Sequence, residues 1–227
     1  MTTPAFRPCL PRAALLLLAA AFFSACSSSS SKGTPGDGGP SNGSSGNLIV
    51  NGNAEQAAGS MDGTPVATPG WTSTGEATAV EYGVAGYPDS TVPGPSDRGM
   101  NLFIGGIDDA MSSLTQTADV SRYGSAIDGG KVTYTLSAWL GGYQDQDDSA
   151  TLTITFQSSS GGALGTASLG PVLAADRADM TELLQKQTTG TVPSGTRSVL
   201  VVLSMVRTDG TNNDGYADDL SLVLDGV

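Results

Sequence analysis

Lys131-Val132-Thr133-Tyr134-Thr135-Leu136-Ser137-Ala138-Trp139-Leu140 alternates without a break. Val132, Tyr134, Leu136, Ala138 and Leu140 take one side, and Thr133, Thr135, Ser137 and Trp139 take the other. A period of two marks a strand with one face on a core and one toward water. Thr151 to Gln157 repeats the pattern, with Leu152, Ile154 and Phe156 set against Thr151, Thr153 and Thr155. Working outward, the same reasoning predicts strands at Asn47–Asn51, Thr78–Tyr82, Met100–Ile104, Ser113–Val120, Ala163–Leu169, Glu182–Thr188 and Arg197–Val206. Ser198 to Leu203 is almost continuously apolar and predicts a strand covered on both faces. The Gly141-Gly142 pair is expected to interrupt its strand. Ser121–Gly130 and Ala174–Met180 each suit one helical turn, and Gly83 to Gly99, with its prolines, suits a long irregular loop. About ten short strands with little helix predict an all-β fold, an antiparallel β-sandwich of jelly-roll type.

The domain closes on Asn212-Asn213-Asp214-Gly215-Tyr216-Ala217-Asp218-Asp219-Leu220-Ser221-Leu222-Val223-Leu224. Leu220, Leu222 and Leu224 share one face, and Ser221 and Val223 the other. An unbroken period of two puts Asp218 on the leucine side and Asp219 opposite, as a solvated or turn-bonding residue. A carboxylate aimed at a core is costly unless it is paired, hydrogen-bonded or bound to a metal.

The N-terminus reads as an export leader. Arg7 and Arg12 precede the apolar run Ala13–Ala25, which is too short to span a membrane. Phe23-Ser24-Ala25-Cys26 resembles the lipobox of bacterial lipoproteins, although Leu is more usual where Phe23 stands. That resemblance implies removal of residues 1–25, a lipid on Cys26, and anchorage in the bacterial cell envelope through that lipid alone. Ser27 to Gly46 is Ser/Gly/Pro-rich and reads as a flexible linker, which leaves residues 47–227 as the folded domain. The chain has two cysteines, and loss of Cys9 with the leader leaves Cys26 without an internal disulfide partner. The formal net charge of −12 includes Arg7 and Arg12, so the mature chain is more acidic still. Such a balance argues against nucleic acid as a partner.

There is no histidine, which excludes a histidine-dependent triad and imidazole-ligated zinc. No G-x-S-x-G or phosphate-binding glycine loop is present. Carboxylate-pair glycosidase chemistry needs only two acids, but no acidic pair has a geometric reason to cooperate: Glu76 and Glu81, five apart on a strand, face opposite ways. Trp139 lies among hydroxyls on an outward face, where an indole can cover the C–H face of a sugar while polar neighbours bond its hydroxyls. Tyr143 keeps that parity, and Gln144 and Asp145 follow in the adjoining loop. These four residues are the ligand candidates. The rest of the acidic loop to Asp148 reads as solvated turn, and Trp71 as core.

Three places carry a family resemblance: Asn47-Leu48-Ile49-Val50-Asn51-Gly52-Asn53-Ala54-Glu55, Gly70-Trp71, and Tyr216-Ala217-Asp218-Asp219-Leu220-Ser221-Leu222. With them the chain resembles galactose-binding-like β-sandwich domains, especially the carbohydrate-binding modules of bacterial cellulases and xylanases. Ala54 departs from the aromatic that usually precedes the glutamate. The resemblance implies that the first and last strands meet at one edge around a structural calcium, with Glu55 and Asp218 as side-chain ligands. It implies a non-catalytic glycan- or polysaccharide-binding protein. The alternative is a structural or adhesive surface protein whose sandwich binds another protein.

Overall fold

The computed structural model describes residues 43–227; the leader, Cys26 and the linker up to residue 42 lie outside the described residues. The strands are β1 (Thr72–Thr74), β2 (Thr78–Glu81), β3 (Asn101–Ile104), β4 (Met111–Asp119), β5 (Thr133–Gly142), β6 (Ser149–Gln157), β7 (Ala163–Leu169), β8 (Glu182–Thr191), β9 (Ser198–Val206) and β10 (Tyr216–Asp225). One short helix, α1 (Gly124–Asp128), follows a 3₁₀ turn, and a second 3₁₀ turn spans Ala174–Arg177. Two five-stranded antiparallel sheets form, in the orders β1–β4–β9–β6–β7 and β2–β3–β10–β5–β8. The sandwich expected from the alternation is therefore the architecture observed. Among the described residues, no helix is long and apolar enough to cross a membrane.

The core lies between the sheets. Leu136 and Leu140 of β5, Leu152, Ile154 and Phe156 of β6, Val201 and Leu203 of β9, and Leu222 and Leu224 of β10 are all buried within it. Each such side chain contributes about 1.5–3 kcal/mol by leaving water. Tyr134 packs against Phe156 with ring centroids 5.1 Å apart, and Trp71 meets Phe103 edge-on at 5.8 Å. Trp71 packs against the core, partly buried, and its indole N–H donates to the Asn51 carbonyl at 3.1 Å.

Four details of strand layout differ from the expectations, each for a physical reason. β9 is central, between β4 and β6, but Leu200 and Val202 on its outer face are only half-buried, because no layer covers that side. The Gly141-Gly142 pair continues β5, because it lets β8 approach closely: a Cβ on Gly141 would stand 1.9 Å from the Glu182 carbonyl oxygen. Asn47–Asn51 is not a regular strand. It still runs beside β10, with Leu48 N–H donating to the Leu222 carbonyl at 2.8 Å and the Asn47 side chain bonding both the Leu220 carbonyl and the Leu222 N–H at 3.0 Å. This contact extends back to Gly43, whose carbonyl accepts from the Gly226 N–H.

The fourth difference is the largest. β10 carries a bulge between Asp218 and Ser221, with Asp219 in the left-handed region at φ 48°. The extra residue resets the alternation. Ala217 and Leu220 both face the core, whereas Asp218 pairs with Trp139 and shares its outer face. Asp218 is therefore not on the leucine side. Gly52 accommodates this junction, since a Cβ there would lie 2.1 Å from the Leu220 carbonyl oxygen.

Polar side chains staple the loops at one end of the sheets. Asp148, expected to be a solvated turn residue, is fully buried. Its carboxylate accepts from the backbone N–H groups of Thr208 at 2.6 Å, Asp209 at 3.0 Å and Asp214 at 3.0 Å, and from the Thr208 hydroxyl at 3.1 Å. Arg177, also fully buried, donates to the carbonyls of Gly142, Gln144, Gln146 and Met180. Removing the Asp148 carboxylate strands several buried donors at once, each costly to leave unpaired. Asp148→Ala is expected to lower the free energy of unfolding by about 3 kcal/mol in urea titration, and a loss below about 1 kcal/mol would contradict the staple.

Candidate functional site

The outer face of the β2–β3–β10–β5–β8 sheet is divided in two. On one half, Val80, Leu102, Ile104, Leu183 and Tyr216 form a second apolar cluster, separate from the main core. The 82–99 segment crosses over it as a strap. Tyr82, Val84 and Tyr87 pack down on the cluster, and the Pro93 carbonyl accepts from the Leu183 N–H at 2.9 Å. The other half is polar and open. Strand register places Gln185, Trp139 and Asp218 in one row, and Gln187, Ser137 and Ser221 in the next. Trp139 stands at the boundary, half-buried, with part of its ring against the strap cluster.

Beside Trp139 lies an open groove of about 460 Å³. Its wall includes Asn53 from the N-terminal segment, Asp97 from the strap, Gln185 from β8, and Asp219 and Ser221 from β10. An indole, two amides, hydroxyls and carboxylates on one concave surface can stack on an apolar ring face and bond several hydroxyl groups at once.

The acidic residues gather beneath and beside this groove. Asp218 is fully buried, and its oxygens accept from the Tyr82 hydroxyl and the Asp219 N–H, both at 2.7 Å. Burial drives its pKa up to about 8, with the charges of Asp219 and Glu55 adding to the rise. Glu55 is half-buried and accepts from the Met100 and Asn101 N–H groups at 2.8 and 2.7 Å through one oxygen. Burial, followed by the charge of Asp97, pushes Asp219 to about 6. In the loop before β10, burial raises Asp214 to about 6, although the Tyr216 hydroxyl donates to it at 2.9 Å. Among the described residues, no three His, Cys, Asp or Glu side chains converge in a way that could hold a metal ion.

The four ligand candidates are split. Trp139 lines the groove, whereas Tyr143 is half-buried against the strap cluster. Gln144 and Asp145 line a different hollow of about 620 Å³, with Val92, Asp179, Met180 and Thr181. The turn after Gly142 separates the two places, because Gln144 adopts φ 42° and its N–H donates to the Thr181 hydroxyl at 3.1 Å. The charge of Glu55 reaches Asp218 as the weakest of the influences that raise its pKa, while the Glu55 carboxylate itself bonds the Met100 and Asn101 N–H groups. Asp219, expected to be solvated or turn-bonding, is a groove residue because the bulge turns it there. Asn53, Asp97 and Gln185 were missed. The outward parity of Gln185 is visible in the alternation after Glu182, but its position next to Trp139 needs the β5–β8 register.

No family model matches the chain, and no curated protein matches it. Several solved structures are similar. The enzymatically active domain of tailspike protein 4 from bacteriophage CBA120 is 14% identical, with a TM-score of 0.46, over 78% of this chain and 21% of that one. This chain thus spans about a fifth of the length of that tailspike domain. A family 16 carbohydrate-binding module is 22% identical, with a TM-score of 0.43, over 78% of this chain and 99% of the module. The xylan-binding family 22 module of a Paenibacillus barcinonensis protein is 12% identical, with a TM-score of 0.37, over 73% of this chain and 91% of its own.

The raised carboxyls fix the sign of the pH response. With divalent cations removed, the unfolded chain releases these protons near pH 4, while the folded domain holds them until about pH 6 at Asp214 and Asp219 and about pH 8 at Asp218. Stability is therefore greatest near pH 4 and falls as pH rises toward 8. Asp62, Asp89, Asp119 and Asp128 are held below their ordinary value and act below that window. Melting temperatures measured in chelator from pH 4 to 8 should decline, and Asp218→Asn should flatten the upper part of the decline. A melting temperature that climbs across this range would refute the assignment.

Proposed function

We propose that this chain is a non-catalytic carbohydrate-binding lipoprotein of the bacterial cell envelope. The observation that carries the binding role is the groove in which the indole of Trp139 meets Asn53, Gln185 and Ser221. The exposed part of the ring offers an apolar platform, and the amides and hydroxyls beside it offer directed hydrogen bonds. Anchorage through Cys26 is supported by the lipobox resemblance. The non-catalytic role is proposed on the resemblance to carbohydrate-binding modules, and the chain has no histidine for a histidine-dependent triad. The partial burial of Trp139 against the outer apolar cluster favours, as a second reading, a surface protein whose sandwich binds another protein.

Calcium is proposed at Glu55 and Asp218. The fit rests on a fully buried carboxylate placed close to a second acid. Two carboxylates need backbone carbonyls or water to complete a shell of six to eight oxygens. When bound, the ion would neutralise the two acids and tie the N-terminal segment to β10.

Glycan-array screening of the purified domain should identify a bound glycan, and Trp139→Ala should weaken that binding by about thirtyfold or more, as loss of a central aromatic contact does. Absence of binding to any glycan, with calcium supplied, would refute the reading and leave protein binding in its place. Chelation should lower the melting temperature of the wild type and leave that of Asp218→Ala unchanged. Identical melting curves with and without chelator would remove calcium from the account.

A further inference from the structure

Resting on the groove as the glycan site, we propose that Arg98 is its positioning residue: the guanidinium folds the strap into a fixed wall and so holds Asp97 in place opposite Trp139. The strap contains Pro88, Pro93 and Pro95 and four glycines between Gly83 and Gly99. It cannot satisfy its carbonyls by forming a helix or a strand of its own. Three of them turn onto one side chain instead. Arg98 donates from Nε to the Pro95 carbonyl at 2.9 Å, from Nη2 to Val92 at 3.0 Å and from Nη1 to Asp89 at 3.2 Å. Gly94 leaves room for this arrangement, since a Cβ there would lie 3.2 Å from Nη2.

The same guanidinium stands 5.1 Å from the centre of the Tyr82 ring, and the Tyr82 hydroxyl donates to Asp218. One end of the strap is thereby tied to the β10 bulge. Its middle is tied to β8 through Pro93 and Leu183. Asp97 precedes Arg98 in the chain, so the backbone that carries the groove carboxylate is held by the adjacent side chain. A lysine can supply the charge but not the planar fork that meets three carbonyls.

Hydrogen exchange and glycan titration of Arg98→Ala and Arg98→Lys test this. In both variants the strap amides of residues 83–99 should exchange at least about tenfold faster, with β4 and β9 unchanged, and glycan affinity should fall about tenfold or more. Acrylamide quenching of Trp139 should increase. Arg207→Ala is the control for general loss of stability, because Arg207 donates to the carbonyls of Asp108 and Thr211 away from the groove. It should lower the melting temperature without changing affinity. Wild-type exchange in the strap of Arg98→Ala, rescue by Arg98→Lys, or full affinity in a variant whose strap has opened would each overturn the proposal. If the wild type binds no glycan, the groove reading fails on its own; the exchange and quenching results then still decide whether Arg98 holds the wall.

Discussion

One extra residue in the last strand decides the arrangement of this domain. Asp219 bulges out of β10, and the strand changes phase around it. Before the bulge, β10 pairs with β3 through Ala217 and Phe103; after it, the N-terminal segment takes over that side through Leu48, Asn47 and Gly52. The leucines stay in the core on both counts. Without the reset, Asp218 would face Leu136 and Leu140, where nothing offsets the loss of hydration. With it, Asp218 faces the strap, accepts a hydrogen bond from Tyr82, and sits beneath the groove.

The strap completes what the bulge begins. A sheet whose outer half is apolar must be covered, and the covering segment has no regular structure with which to satisfy its own polar groups. Side chains do this work at two places. Arg98 gathers carbonyls of the strap, and Arg177 gathers carbonyls of the turns after Gly142 and Arg177. Asp148 performs the reciprocal task with N–H groups. In each case a charged side chain is held by several backbone partners rather than by an ion pair, which suits irregular chain because one planar group can serve several strand ends or turns. Of these segments the strap reaches the groove, through Asp97, whereas the turns held by Arg177 border the separate hollow of Gln144 and Asp145.

The grouping of Glu55, Asp97, Asp218 and Asp219 opposes stability through like-charge repulsion and burial. Asp218 and Asp219 relieve this by holding their protons to higher pH, and the calcium proposed above would relieve it by neutralising charge. Both act at the seam between the N-terminal segment, the strap and β10, so the electrostatics of this seam and the shape of the groove are connected through shared residues.

Alternation alone was enough to place most strands and the sandwich, because a sheet with one buried face must repeat every two residues. β4 to β10 were legible in this way, as was the outward side of Trp139. Alternation also misled where its premise failed. The parity of Asp218 was wrong because a bulge leaves no mark in a pattern of period two, and Tyr143, Gln144 and Asp145 were grouped with Trp139 although a left-handed turn carries the last two elsewhere. The groove itself was not legible. Asn53, Asp97, Trp139, Gln185 and Asp219 come from five separate parts of the chain, and only strand register and the path of the strap bring them together. Sequence by itself determined which residues must leave water; tertiary structure decided which polar residues would meet, because that depends on pairing and loop closure between distant segments.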